Sequence, residues 1–192
     1  MKTSLLIAFL LSFFITGQTN AQTIRTIKLR ELDGRHFSFR KLSRYRGSVI
    51  VFLEPDCPIS QKYTLNLRQL RQRLDSLHIR LIAVYPMPYI KPAKVKAFAE
   101  TYQLSLTHLI DARQKLTKLL QATTTPQVFL LNQKLQVIYT GLIDNWFYAL
   151  GKSRGVITAH YLDDAIAAYL QHKPITIPKT EPVGCDIEIR TW

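Results

Sequence analysis

Hydrophobic and polar positions along this chain switch between two periods. Near the start, Ile24, Thr26 and Lys28 alternate with Arg25, Ile27 and Leu29, the pattern of an edge strand, and Asp33-Gly34 marks a hairpin turn. Residues 48–53 (SVIVFL) are apolar without alternation, which predicts a buried central strand. Tyr63, Leu67, Leu70, Leu74 and Leu77 then recur at helical spacing and define one helix face. Residues 79–85 (IRLIAVY) predict a second buried strand, and residues 92–102 a helix with Val95, Phe98 and Tyr102 on one stripe. A short strand over 106–110 and a short helix over 114–120 follow. Residues 128–131 and 135–139 predict a hairpin joined by Asn132-Gln133-Lys134. Thr158 is placed to cap a last helix running through Leu170, with Leu162, Ile166 and Leu170 buried.

This order, βαβ, then a helix, a hairpin and a closing helix, predicts an α/β fold with a central mixed β-sheet flanked by helices on both faces. The pattern stops after Lys173. Pro174, Pro178 and Pro182 fall at every fourth position, so the tail over 173–192, which carries Cys185, is expected to be extended. The organisation expected is a leader over 1–21, one folded domain over 22–172 and that tail.

The leader follows from its own pattern. Met1-Lys2 gives a positive start, Leu5 to Ile15 is nearly unbroken apolar sequence, and Thr19-Asn20-Ala21 is a small-residue exit. Such a segment reads as a signal peptide cleaved after Ala21. The competing reading, an N-terminal membrane anchor, meets an apolar run too short to cross a bilayer comfortably. The mature chain is therefore expected to be exported to the periplasm or the extracellular space, without a stable membrane span, where thiols tend to oxidise.

Composition then narrows the classes. Of 192 residues, 47% are hydrophobic and 20% charged, which excludes a disordered chain. Two cysteines exclude both a disulfide-stapled miniprotein and a four-cysteine zinc site. The net charge is +13, of which the leader supplies one, and such a balance raises the question of nucleic acid. The basic residues are spread along the chain, from Arg40 and Lys41 to Arg113, Lys115 and Lys118, with no aromatic stacking motif among them. Solvated faces explain them, and no nucleic-acid partner is expected.

The informative residue is Cys57. It follows a buried strand and opens a helix, with Pro58 at the first helical position, where the missing N–H costs nothing. A thiol at a helix N-terminus faces free backbone N–H groups and the positive end of the helix dipole, and both favour the nucleophilic thiolate. The bland alternative is an inert core cysteine. A loop-to-helix junction is usually exposed, which argues for reactivity. His36, His78, His108 and His172 lack ligand spacing, and surface positions suffice for them.

The segments FLEPDCPIS, TTTPQVFLLN and YTGLIDN, with a late Thr180 to Cys185, resemble the thioredoxin-like redoxins, the group of thioredoxins and peroxiredoxins. The likeness is to an exported bacterial branch with a C-P-x-S motif, here Cys57 to Ser60, and spans roughly residues 24 to 186. It implies a thioredoxin-like fold and thiol-disulfide oxidoreductase chemistry with Cys57 as nucleophile. It also implies that Pro126 follows a cis peptide bond beside the thiol, so that Thr125 offers its backbone for strand-like pairing with substrate.

The departures carry information too. Ser60 stands where thioredoxins have their second cysteine, so the usual dithiol cycle within the motif is excluded. Glu54 stands where peroxiredoxins place a hydroxyl, and a carboxylate there would oppose a thiolate. Peroxide reduction is thus an alternative and not the first reading. Cys185 is a candidate resolving thiol, because an extended chain from Lys173 to Cys185 reaches roughly 40 Å. It is alternatively unpaired, or a bridge between two molecules. Asp144, Arg154 and His160 are supporting candidates, since an Arg stabilises a thiolate and a His moves protons. Two further readings stay open: copper handling by Cys57, Cys185 and His160, and a binding module that kept the fold without the chemistry. The first reading requires no cofactor and no metal. Its partners are an oxidised protein or small molecule and an unidentified reductant.

Overall fold

The computed structural model of the chain describes residues 23–191, so the leader and its cleavage point lie outside the described residues. Seven strands form one mixed sheet in the order β2-β1-β5-β4-β3-β7-β8. They are β1 (Lys28–Glu31), β2 (His36–Ser38), β3 (Gly47–Phe52), β4 (Ile79–Tyr85), β5 (Thr107–Ile110), β7 (Gln127–Asn132) and β8 (Val137–Gly141). Strands β3, β4 and β5 run parallel; β7 and β1 pair antiparallel to β3 and β5 on either side.

The central strand explains why SVIVFL carries no polar face. All six residues of β3 are buried, and successive side chains point to opposite faces of the sheet. Val49 and Val51 join a core with Leu67, Leu70 and Leu74 of α2 (Thr64–Ser76), Val95 and Phe98 of α3 (Pro92–Thr101), and Leu162 and Ile166 of α5 (Tyr161–Leu170). Ile50 and Phe52 join the opposite core, with Leu116 and Leu120 of α4 (Lys115–Leu120) and with Phe39 and Leu42 of a 3-10 stretch, Phe39–Arg44. Helical segments thus cover both faces, as the periodicity predicts.

The differences from expectation have local causes. Residues 23–26 form a helical turn instead of the start of a strand, with Thr26 Oγ1 donating to the Thr23 carbonyl, so β1 begins only at Lys28. Thr158 does not cap α5. Its amide donates to Asn145 Oδ1 at 2.9 Å and its hydroxyl accepts from Asn145 Nδ2, and the helix starts three residues later at Tyr161. His108 is not at the surface: it is buried, with Nε2 2.8 Å from the Leu104 carbonyl and Nδ1 2.9 Å from the Tyr85 hydroxyl. The hairpin of β9 (Phe147–Ala149) and β10 (Lys152–Ser153) has no alternation that would reveal it in the sequence.

Candidate functional site

Cys57 sits between β3 and α1 (Pro58–Lys62), at the N-cap of the helix, and its extended backbone turns the chain out of the sheet. The loop before it is held from within. The Glu54 amide donates to the buried Ser60 hydroxyl at 3.4 Å, the Cys57 amide to the Glu54 carbonyl at 3.1 Å, and Gln61 Nε2 to the Pro55 carbonyl at 2.7 Å. Ser60, a supporting candidate from the sequence, therefore fastens the loop on which the sulfur stands.

The second wall of the site is β6 (Thr124–Thr125), and the Thr125-Pro126 peptide bond that follows is cis. The Cys57 sulfur lies 3.2 Å from the Thr125 carbonyl oxygen. The third wall is the tail. Cys57 and Cys185 are joined by a disulfide, with their Cα atoms 6.0 Å apart and a separation of 128 positions in sequence. Cys185 and Asp186 form β11, which pairs antiparallel with β6 in the register Cys185 to Thr125 and Asp186 to Thr124. The Ile187 amide extends that pairing to the Thr123 carbonyl at 2.8 Å, and Thr125 Oγ1 donates to the Cys185 carbonyl at 3.3 Å.

Two glycines let the tail come this close. A Cβ on Gly184 would collide with the Thr125 carbonyl, so Gly184 is required for close approach of two backbones. Gly141, at φ +133°, faces Thr180, where a Cβ would strike the Thr180 side chain and carbonyl. Thr180 is the upstream anchor of the tail. Its amide donates to the Thr140 carbonyl at 3.0 Å, and its hydroxyl accepts the Leu142 amide at 2.8 Å. The Tyr139 hydroxyl spends its one proton on the Leu142 carbonyl, so the Thr180 hydroxyl donates to Tyr139 across 3.0 Å. Burial pushes the Tyr139 phenol up to about 12. Downstream, the Gln114 side chain donates to the Glu188 carbonyl at 2.7 Å and accepts the Arg190 amide at 2.9 Å.

The covering tail changes two expectations. Cys57 is only 1% exposed, although helix junctions are usually open. Glu54 is partly buried, and desolvation, followed by the nearby Asp56 charge, raises its carboxyl above the usual carboxylate range. A more easily protonated Glu54 opposes a thiolate less than its sequence position suggests. Asp56, one residue before Cys57, forms an ion pair with Lys94 of α3. A cavity of about 530 Å³ adjoins this loop, walled on one side by Glu54, Pro55 and Asp56 and on another by Asp186, Ile187, Glu188 and Arg190 of the tail.

The other supporting candidates do not meet the sulfur. Asp144 is buried and accepts the Tyr63 hydroxyl at 2.5 Å and the Trp146 amide at 2.9 Å. Tyr63 closes α1, so Asp144 acts on the end of the cysteine helix away from Cys57, and burial together with the Asp144 hydrogen bond raises the Tyr63 phenol. Arg154 lies with its guanidinium 5.1 Å from the Tyr148 ring centroid, on the β9–β10 side of the molecule. His160 is exposed at the start of α5. Among the described residues no cluster of three or more His, Cys, Asp or Glu is arranged to hold a metal, so the copper set Cys57, Cys185 and His160 is not assembled. Tyr63, Tyr139, Thr180 and Gln114 are the contributors that sequence reasoning missed. Tyr63 had a signal as the first member of the apolar helix stripe, and Tyr139 and Thr180 stand in segments that carry the family likeness, whereas Gln114 had none.

The AhpC/TSA family pattern matches residues 21–140. No curated protein matches the chain. Among solved structures, an uncharacterized conserved protein from Geobacillus kaustophilus is 22% identical, with a TM-score of 0.74 and coverage of 86% of this chain and 89% of that one. A secreted disulfide oxidoreductase of Mycobacterium tuberculosis is 16% identical, with a TM-score of 0.53 and coverage of 60% and 82%. The thioredoxin domain of a thiol-disulfide oxidoreductase from Bacteroides vulgatus is 13% identical, with a TM-score of 0.54 and coverage of 60% and 83%. The shared architecture is the thioredoxin-like fold. Among the described residues no helix is long and apolar enough to cross a membrane.

Proposed function

The chain belongs to the AhpC/TSA family, and from that premise we propose that it is an exported thiol-disulfide oxidoreductase with Cys57 as nucleophile and Cys185 as resolving cysteine. The observation that carries the reading is the disulfide between a helix N-cap cysteine and a tail cysteine, formed beside the cis Thr125-Pro126 bond. In the reduced protein the Cys57 thiolate attacks one sulfur of a substrate disulfide, forming a mixed disulfide and releasing the other substrate sulfur as thiolate. The Cys185 thiolate then attacks Cys57 Sγ, closes the intramolecular bond and releases the second substrate thiolate. The substrate gains two electrons, the Cys57–Cys185 pair loses them, and an external dithiol restores the pair.

Helix α1 favours the thiolate through the free N–H groups of its first turn. Ser60, which fastens the loop, has no part in electron transfer. Thiol-disulfide exchange is preferred to peroxide reduction because the sulfur's polar neighbour among the described residues is the Thr125 carbonyl, not a hydroxyl. Export follows from the leader over 1–21, with the folded domain over 22–172 and the tail over 173–192 as the mature protein.

The test is trapping. Cys185→Ser should accumulate a stable mixed disulfide on Cys57 when the reduced variant meets a small disulfide, and Cys57→Ser should abolish turnover. Normal turnover by both variants would place the activity elsewhere.

A further inference from the structure

We infer that the tail segment Val183–Ile187 is a tethered occupant of the substrate edge, which reduction vacates for extended peptide segments of the same design: an apolar residue, glycine, cysteine, any residue, an apolar residue. The redox step in this inference rests on the reading of Cys57 and Cys185 given above. The occupancy is geometric. β11 takes the backbone edge of β6 beside Cys57, and its pairing with Thr123, Thr124 and Thr125 leaves no room for a second strand there.

The tail also shows what that edge selects. The residue before the cysteine must be glycine, because any Cβ there meets the Thr125 carbonyl. The residues two before and two after the cysteine, Val183 and Ile187, pack against opposite cores of the sheet. Asp186 between them is exposed, so its side chain is not selected. A strand added to an exposed edge draws affinity from main-chain pairing and specificity from side-chain pockets on each face.

What holds this occupant is largely the disulfide. From Glu181 to Thr191 the buried residue is Gly184, and every other position is half-exposed or exposed. With the bond reduced, the strand keeps a handful of partly solvated hydrogen bonds, each of small net value. Substrate segment and tail therefore alternate on one edge. When the Cys185 thiolate attacks Cys57 Sγ and breaks the mixed disulfide, the returning tail takes the backbone positions of the substrate and displaces it.

The test uses a fluorescein-labelled peptide with the sequence of residues 181–190 carrying Cys185→Ser, titrated by anisotropy with the full-length protein, reduced and oxidised. The reduced protein should bind at least tenfold more tightly than the oxidised one, and an unlabelled peptide that also carries Gly184→Val should fail to compete. Equal binding to both forms, no binding to the reduced form, or full competition by the Gly184→Val peptide would overturn the inference. Mixed-disulfide trapping on Cys57, measured in parallel, separates the two ideas. A Cys57 that traps normally without redox-dependent peptide binding refutes only the shared edge. An inert Cys57 with redox-dependent binding refutes only the oxidoreductase reading.

Discussion

The sheet and the tail are held by opposite means. In the sheet, β3 buries every side chain and is paired along its length on both sides, so its position follows from burial and a full ladder. The tail crosses the same molecule with a two-residue pairing, a few side-chain hydrogen bonds, two close glycine contacts and one covalent bond. One region is stable because it is dry. The other is placed by a bond that a reductant can undo, which suits the proposed alternation of tail and substrate on one edge.

The largest expected effect lies in the sheet. Phe52 is fully buried and meets Phe129 edge-on at 5.6 Å between centroids, so Phe52→Ala should cost about 3–5 kcal/mol in denaturant unfolding. Ile187→Ala in the tail should cost under about 1 kcal/mol, because Ile187 is only partly buried. Similar losses for the two would erase the contrast. Next in size is Cys185→Ser. It removes a cross-link over 128 residues and should lower the global stability of the non-reduced protein by about 2–4 kcal/mol, chiefly by freeing the unfolded chain. The unfolding of the reduced wild-type protein should match that variant closely.

How far the sequence could be read follows the same division. The buried strands over 48–53 and 79–85 and the helix stripe from Tyr63 to Leu77 were legible because burial imposes periodicity, and the structure places them within a residue. At the disulfide end, Cys57, Pro58 and the Thr125-Pro126 pair stood out in the sequence, and the structure places them side by side. The path of the tail was not legible, because its pairing with β6 is backbone to backbone and its side-chain bonds come from scattered residues such as Gln114 and Tyr139, which leave no periodic pattern. Nor does the sequence around Gly184 show that its missing side chain serves contact with the Thr125 carbonyl. Arg154 and His160 stand on loops and helix ends whose placement depends on long-range packing, and the structure brings neither to the sulfur. Asp144 is buried as a functional residue would be, yet it serves Tyr63.

The smallest expected effect concerns pH and belongs to the sheet. Burial lowers the His108 pKa below its usual 6.5, so the folded state prefers the neutral ring while the unfolded state takes up a proton. The stability that His108 contributes is therefore complete above about pH 6.5 and is lost as the pH falls below it. Denaturant midpoints of the wild-type protein should decline below that pH, and His108→Gln should flatten the decline. The tail, whose anchoring groups among the described residues include no histidine, should keep its protection over the same range.

Hydrogen exchange compares the two regions in one sample. The Ile187 amide donates to Thr123, and the amides of β3 and β4 donate within the sheet. On reduction of the Cys57–Cys185 bond, the account predicts that Ile187 exchanges at least a hundredfold faster, while the β3 and β4 amides stay the most protected in the protein. An Ile187 amide equally protected in both redox states, or one that opens only together with β3, would contradict it.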